Sequence, residues 1–369
     1  PAVHLGNPAG AGVVNVCVLR PGDLTSAQLE VWSEIQRTEP LFESPFFRPE
    51  FTLALAAVRA DVEVAVLEEN GATVGFFPFQ RGGRVGRPAG GPLSDYQGVI
   101  IRAGKRWEAT EMIRACGLLA WRFDHLLAAQ NEFAAFHRRI DPSPYLELKD
   151  GFDAYRSSLG EANLKYLNAT FRQARQMGRE VGPVRVELAS TDRDALRLLM
   201  RWKSEQYARS GGVDLFAFAW TRALLETLLK TQSESFSGML SLLFAGERLV
   251  SAHMGPSAHG VLHWWFPAYD RQFAKYSPGR ILLAEVARGA QAHGIRRIDL
   301  GRGIDDYKQR AMSGSTLVAS GAVDLRPMTR WLSDQWSRTR ERIKKSPLRG
   351  VARVPGRLVY RLTRWLSLR

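Results

Sequence analysis

Cysteine is almost absent from this chain: among 369 residues it occurs twice, as Cys17 and Cys116. Two thiols exclude a disulfide-built scaffold and a cysteine zinc cluster, and they suit a reducing cytoplasm. Neither has a histidine beside it in sequence, so no thiol chemistry is expected. Long apolar runs are missing too. None approaches the ~18–20 residues of a membrane-crossing helix. Residues 1–12 lack the basic start and apolar stretch of a secretory signal, which makes a cytoplasmic location the expectation. There is no G-x-S-x-G elbow, no Walker loop and no H-E-x-x-H, so neither a serine-hydrolase reading nor a metal is expected. The glycines of residues 82–86 and the pair Gly301, Gly303 are too short for a dinucleotide fingerprint.

What is present describes a folded globular chain, 45% hydrophobic and 24% charged. Its length fits about two domains of ~150–200 residues. The net charge of +14 is unevenly spread, because residues 326–369 hold thirteen Lys or Arg against two acids. The rest is nearly neutral. In that tail Trp331, Leu332, Trp336, Val351, Val354, Leu358, Leu362 and Trp365 can share one helical face opposite the arginines. Such a stretch reads either as a solvated basic extension or as a helix lying on an anionic membrane. No nucleic-acid-binding signature accompanies the charge, and no nucleic-acid partner is expected.

One order of elements occurs twice. In the first half a helical stretch at residues 51–59 precedes a hairpin at 62–67 and 73–79, followed by a strand near 99–101, a helix at 107–119 and a strand at 123–127. In the second half the same order runs through a helix at 220–231, a hairpin at 239–244 and 248–254, a strand at 261–266, a helix at 279–293 and a strand at 298–300. This predicts an α/β (α+β) fold built from two copies of one unit. Between the copies stand a basic helical stretch that reaches Gly178 and a helix at 191–209 with Leu196, Leu199, Met200, Trp202 and Tyr207 as its apolar face.

The chemistry concentrates at residues 264–303. A strand leaves through Asp270, and a helix opens at Ser277-Pro278-Gly279. Ser277 reads as its N-cap and Pro278 as its first residue. The free amides of that first turn, with no bulky side chain at Gly279, suit a phosphate, and Lys275 and Arg280 add charge. Candidates for taking a proton are His253, His263, Asp270, Asp299 and Glu205. His263 reads as either a pocket residue or an exposed strand residue. The cluster Ser94, Asp95, Tyr96, Gln97 reads either as a sugar-binding group or as a turn held by its own side chains. Trp264 offers an aromatic platform, and Arg172 on the basic helix offers a grip for a phosphate.

The order of strand, loop, S-P-G helix and the sequence I-D-L-G-R-G before Tyr307-Lys308 resembles the GNAT acyltransferase superfamily. It is most similar to the CelD/BcsL branch of bacterial exopolysaccharide and cellulose synthesis, related to Fem-type peptidyltransferases. Landmarks run from residues 44–51 and 75–81, through 90–98 and 164–182, to Y-S-P-G-R-I-L-L at 276–283. The resemblance implies tandem GNAT-like domains at residues 1–145 and 146–325, the second with the donor site, ahead of the basic helical tail at 326–369. It implies transfer from acetyl-CoA or another acyl-CoA to a hydroxyl or amine of a saccharide or polysaccharide precursor. The CoA pyrophosphate would lie on Tyr276, Ser277, Pro278, Gly279 and Arg280, although only one glycine stands where the family's motif has two. Lys308 would match the oxyanion-steadying lysine of a Fem-type F-K-x-x-F signature, with Ala311 in place of its second aromatic. Two other readings stay open: an aminoacyl-tRNA donor, as in Fem-type relatives, and a catalytically silent scaffold.

Overall fold

The computed structural model describes residues 3–4 and 14–328, so nearly all of the basic tail lies outside the described residues. The chain begins with β1 (Val3–His4), β2 (Val14–Leu19), α1 (Ser26–Thr38), α2 (Pro49–Ala56), β3 (Val62–Glu69), β4 (Ala72–Gly82) and β5 (Val85–Pro88). It continues through β6 (Ile100–Ile101), α3 (Ala109–Ala115), β7 (Ala120–Leu127), β8 (His137–Glu147), α4 (Gly151–Ser158) and α5 (Glu161–Glu180). Then come β9 (Val184–Ser190), α6 (Arg193–Ser210), α7 (Ala219–Lys230), β10 (Ser237–Ala245), β11 (Arg248–Ala258), β12 (Val261–His263) and β13 (Phe266–Tyr269). The last elements are α8 (Pro278–Gly289), β14 (Arg297–Asp299), α9 (Asp306–Ala311) and β15 (Gly314–Asp324). No helix among the described residues is long and apolar enough to cross a membrane.

Two compact units result. The second holds Glu43–Ala54 and Asp141–Leu317; the first holds Leu55–Ile140 together with the described residues up to Phe42 and from Val318 onward. In the first unit β2, β3, β4 and β5 run antiparallel in turn. The β3–β4 hairpin closes on Asn70 and Gly71, both at positive φ (52° and 78°), the conformation that a tight two-residue turn demands. β5 then pairs parallel with β7, which requires a crossover, and α3 supplies it. β15 completes the sheet antiparallel to β7. Phe77, Phe79, Met112, Trp121, Phe123 and Phe133 fill the core beneath.

The second unit repeats this scheme. β9, β10, β11 and β12 are antiparallel, β12 pairs parallel with β14 across α8, and β8 closes the order antiparallel to β14. The mixed α/β fold and its duplication are therefore as expected. One feature was not anticipated: the sixth strands are exchanged. β8 follows β7 in the chain yet pairs with β14 of the second unit, while β15 follows β14 and pairs with β7 of the first. The Asp141–Pro144 segment, with its two prolines, lies inside β8.

Candidate active site

The strand expected at residues 261–266 is broken in two, and His253 is the cause. Its ring is fully buried on β11 and stacks on Trp264 at 3.9 Å, within 7° of parallel. Its Nε2 accepts the Trp265 amide at 3.2 Å and lies 3.2 Å from the His263 carbonyl. The chain bulges over this ring, and Gly255 makes room: a Cβ there would sit 1.9 Å from the His263 oxygen. Burial, ahead of every other influence, lowers the His253 pKa to about 3, so the ring is neutral. His253 was a candidate base, but a buried neutral ring engaged by backbone shapes the strand and reaches no acceptor. Trp264 is corrected likewise, because it is buried against His253 and offers no open platform. His263 is buried too, edge-on to Phe46 at 4.8 Å, and not on an exposed strand face.

The break opens a gap. β12 and β14 stay paired as far as His263 and Asp299, and the Trp264 amide donates to the Asp299 carbonyl at 2.7 Å. Beyond that point β13 bonds only to β11, and among the described residues no strand covers its other edge. The Asp270 amide donates to Val250 on β11 at 3.0 Å. Strand alternation therefore turns the backbone groups of Pro267 and Tyr269 toward the open edge. Proline suits that place, where a missing N–H costs no ladder bond.

Two lysines stand at this edge. The Lys203 ammonium on α6 donates to the Pro267 carbonyl at 3.0 Å. Burial first, and then the charge of Lys308, pull its pKa down to about 8. Lys308, 8% exposed on α9, donates to the carbonyls of Gly301 and Arg302 at 3.0 and 3.1 Å, which fixes the loop that follows β14. Lys203 was missed in the sequence. The signal was available: Leu196, Met200, Lys203 and Tyr207 follow one another at helical spacing, so a lysine occupies an otherwise apolar stripe.

The helix start adjoins the same strand. Asp270, a candidate base, instead caps the turn at Arg271–Tyr276, its Oδ1 accepting the Gln272 amide at 2.9 Å. Ser277 precedes α8 in the left-handed region (φ 56°, ψ 54°), and its hydroxyl does not cap the helix. That hydroxyl accepts instead from Arg280 at 2.7 Å, and Arg280 also reaches Gln173 at 2.8 Å and lies over the Tyr166 ring. The first-turn amides of α8 thus keep no side-chain cap. A Cβ on Gly279 would meet nothing nearer than the Tyr269 ring at 3.7 Å, so the surface there is open and borders the end of β13. Lys275 is already committed, paired with Glu180 at 2.9 Å. Glu180 also accepts from the Tyr276 hydroxyl; these bonds, Tyr276 first, lower its pKa to about 2.

The remaining candidates lie elsewhere. Arg172 is exposed on α5 and lines an open groove of about 820 Å³ with Arg156, Arg175 and Arg288. Glu205 pairs with Arg209 on the outer face of α6. Asp95, Tyr96 and Gln97 belong to the first unit. Gln97 is spent on its own surroundings: its Nε2 donates to Asp124 at 2.7 Å and Ser94 at 3.0 Å, and its Oε1 accepts the amides of Asp124 and His125. Tyr96 is buried. Asp95 approaches His125 at 3.4 Å. The turn reading of this cluster prevails over the sugar-binding one. Among the described residues no three His, Cys, Asp or Glu side chains converge to hold a metal ion.

Comparison with known proteins bears on the second unit. Residues 167–309, from α5 to α9, match the family model described as an acetyltransferase (GNAT) domain. This segment is a GNAT acyltransferase domain. It contains the open edge of β13, the start of α8 and both lysines. No curated protein matches the sequence. Among solved structures, FemX aligns over 84% of this chain and 96% of its own at 10% identity, with a TM-score of 0.56. The C-terminal domain of a protein assigned as a lysylphosphatidylglycerol synthetase, from Agrobacterium fabrum, aligns over 83% and 94% at 11% identity, with a TM-score of 0.53. A tandem GNAT protein from the clavulanic acid biosynthesis pathway covers 85% and 99% at 11% identity, with a TM-score of 0.47. At these identities the first two likenesses concern the fold alone.

Proposed function

We propose that the GNAT domain takes an acetyl or other acyl group from acyl-CoA and passes it to a hydroxyl or amine of a saccharide or polysaccharide precursor. The start of α8 carries the donor half of this reading. Its first-turn amides lack a side-chain cap, and Gly279 leaves open space before them. Pro278 has no N–H and the Arg280 amide already donates to the Ser277 carbonyl at 3.0 Å, so such a site favours a pyrophosphate through the Gly279 amide and the positive end of the helix. Arg280 adds a cation beside it; Lys275, neutralised by Glu180, adds little. An extended pantetheine arm would then lie along the open edge of β13, where the Tyr269 amide is turned outward. The thioester carbonyl would reach the region of Lys308, whose charge opposes the oxyanion that forms on attack.

The acceptor half rests on the sequence resemblance to the CelD/BcsL branch and on the arginine-lined groove, whose charge suits a phosphorylated saccharide. Gln97 and Tyr96 have no part in it. A second reading replaces the donor with aminoacyl-tRNA and draws on the fold likeness to FemX. The nearly neutral globular body weighs against it, because tRNA binding draws on a broad positive surface. A scaffold role would need side chains to fill the helix start, and the space at Gly279 counts against that.

Calorimetric titration with acetyl-CoA, with adenosine diphosphate and tRNA in parallel, tests the proposal. Micromolar binding of acetyl-CoA is the expected result. Binding of tRNA without acetyl-CoA would replace the donor, and binding of neither would leave the scaffold.

A further inference from the structure

Direct acyl transfer needs a group that takes the acceptor's proton, and the residues first considered are occupied. His253 is buried under Trp264, Asp270 caps a turn, and Glu205 faces outward. Resting on the thioester reading above, we propose that Lys203 is the general base of the transfer, its neutral amine facing the open edge of β13.

The geometry holds the amine in one direction. A neutral lysine amine has two N–H bonds and one lone pair, and one N–H is directed at the Pro267 carbonyl. The lone pair is thereby aimed away from the strand backbone. What surrounds the amine keeps it poised to lose a proton. From β11 the nearest titratable group is His253, which is neutral. From α9 comes Lys308, a like charge that disfavours a second ammonium. On its own helix the Tyr207 ring lies 5.7 Å away. Asp214, ahead of the turn that packs on α6, is bound by Ser204 at 3.1 Å, and Arg222 of α7 donates to the Phe216 carbonyl. Tyr269 is the titratable residue of β13. No carboxylate pairs with Lys203 among the described residues. A lysine that changes charge near pH 8 is half neutral at that pH, well below the ordinary lysine range.

The step balances without an added reagent. The acceptor oxygen or nitrogen bonds to the thioester carbonyl carbon while its proton passes to the Lys203 amine. The carbonyl oxygen takes up the electron pair, facing the charge of Lys308. On collapse the oxygen's pair re-forms the carbonyl double bond, the carbon–sulfur bond breaks, and the CoA sulfur leaves with the bonding pair and receives the proton from Lys203. An ester or amide and free CoA thiol result, and the amine is neutral again.

The deciding variant is Lys203→Arg in the full chain. Arginine can still donate to the Pro267 carbonyl, but it cannot lose its proton. Wild-type kcat with acetyl-CoA and a panel of amino and hydroxyl sugars should rise with pH through about 8, because the base acts in its neutral form. Lys203→Arg should keep the melting temperature and acetyl-CoA affinity, lose turnover by about 10²-fold or more, and show no such rise. Full activity in the variant would reduce Lys203 to a strand fastener and overturn the assignment, with the donor reading intact. Failure of the wild type to bind acetyl-CoA would instead sink the donor reading and the transfer step with it. Trace acetylation with acetic anhydride across pH, read by mass spectrometry, is independent of turnover. Lys203 should react half-maximally near pH 8. Titration alongside the surface lysines, near ~10.4, would overturn the proposal.

Discussion

In the first unit β5 and β6 both pair with β4, just as β12 and β13 both pair with β11 in the second. Each unit therefore opens a gap where its strand parts from the parallel neighbour, but only the first closes it again. There Gln97 returns to pair with Leu126 of β7: its backbone N–H donates to the His125 carbonyl and its carbonyl accepts the Leu127 amide. Gln130 seals the rest: its side chain accepts the Val99 amide at 3.0 Å and donates to the Val99 carbonyl at 2.6 Å. In the second unit the matching edge meets a lysine at one carbonyl. The helix starts differ in the same sense. α3 spans Ala109–Ala115 with Glu111 in its first turn, whereas α8 spans Pro278–Gly289 with no acid there. An anion is repelled by the first and drawn to the second. One unit thus closes its gap, and the other keeps an open edge beside a helix start without an acid.

The sharpest way to break this contrast is Lys308→Ala. If the open edge is where charge develops, removing the cation should lower kcat by about 10²-fold and leave acetyl-CoA affinity within a few-fold. Turnover equal to wild type would show that Lys308 serves only the Gly301–Arg302 loop. The converse experiment acts on the closed unit. Gln130 is 4% exposed, and Gln130→Ala strands the amide and carbonyl of Val99 in the core. Each orphaned group costs about 1–3 kcal/mol, so the melting temperature should fall by several degrees while acetyl-CoA affinity holds. Lost affinity in a folded variant would mean that the first unit contributes to donor binding.

Much of the scaffold was legible because it is written in local pattern. Both hairpins, the repeat of hairpin, strand, helix and strand, and the helix at Pro278 follow from alternation and turn chemistry within a few residues. What stayed hidden depends on partners distant in sequence. The exchange of β8 and β15 has no periodic signature, since each strand reads the same whichever neighbour it joins. Gln97 looked like a ligand-binding residue because its real partners, at positions 124–125, are invisible locally. Trp264 and His253 traded a chemical role for a structural one by stacking across eleven residues of chain. Lys203 is the instructive omission: it was not singled out, although a lysine on an apolar stripe must be buried, paired or reactive.

A smaller effect is expected at the helix start. Gly279→Trp places a large ring in space that is otherwise open, against the end of β13. Acetyl-CoA affinity should fall by about tenfold, equivalent to ~1.4 kcal/mol, with the fold intact. Unchanged affinity would remove the α8 amides from the donor site and would erase the difference from α3.

The smallest effect tests the latch that the first helix start lacks. Glu180 is held ionised by Tyr276, then Lys275 and Gln176, which lower its pKa from 4.5 to about 2. A carboxylate whose folded pKa is depressed contributes stability that is present above its unfolded value and is lost as pH falls through the folded one. The turn before α8 should therefore loosen on acidification from about pH 4.5 toward 2, and Glu180→Gln should flatten that part of the stability profile. At neutral pH the same substitution frees the charge of Lys275 beside the start of α8. Acetyl-CoA affinity should then rise about two- to fivefold at low salt, and the gain should fade as ionic strength grows. A loss of affinity would mean that Glu180 matters more for holding the turn in place than for the charge it cancels, and that the open helix start depends on its latch.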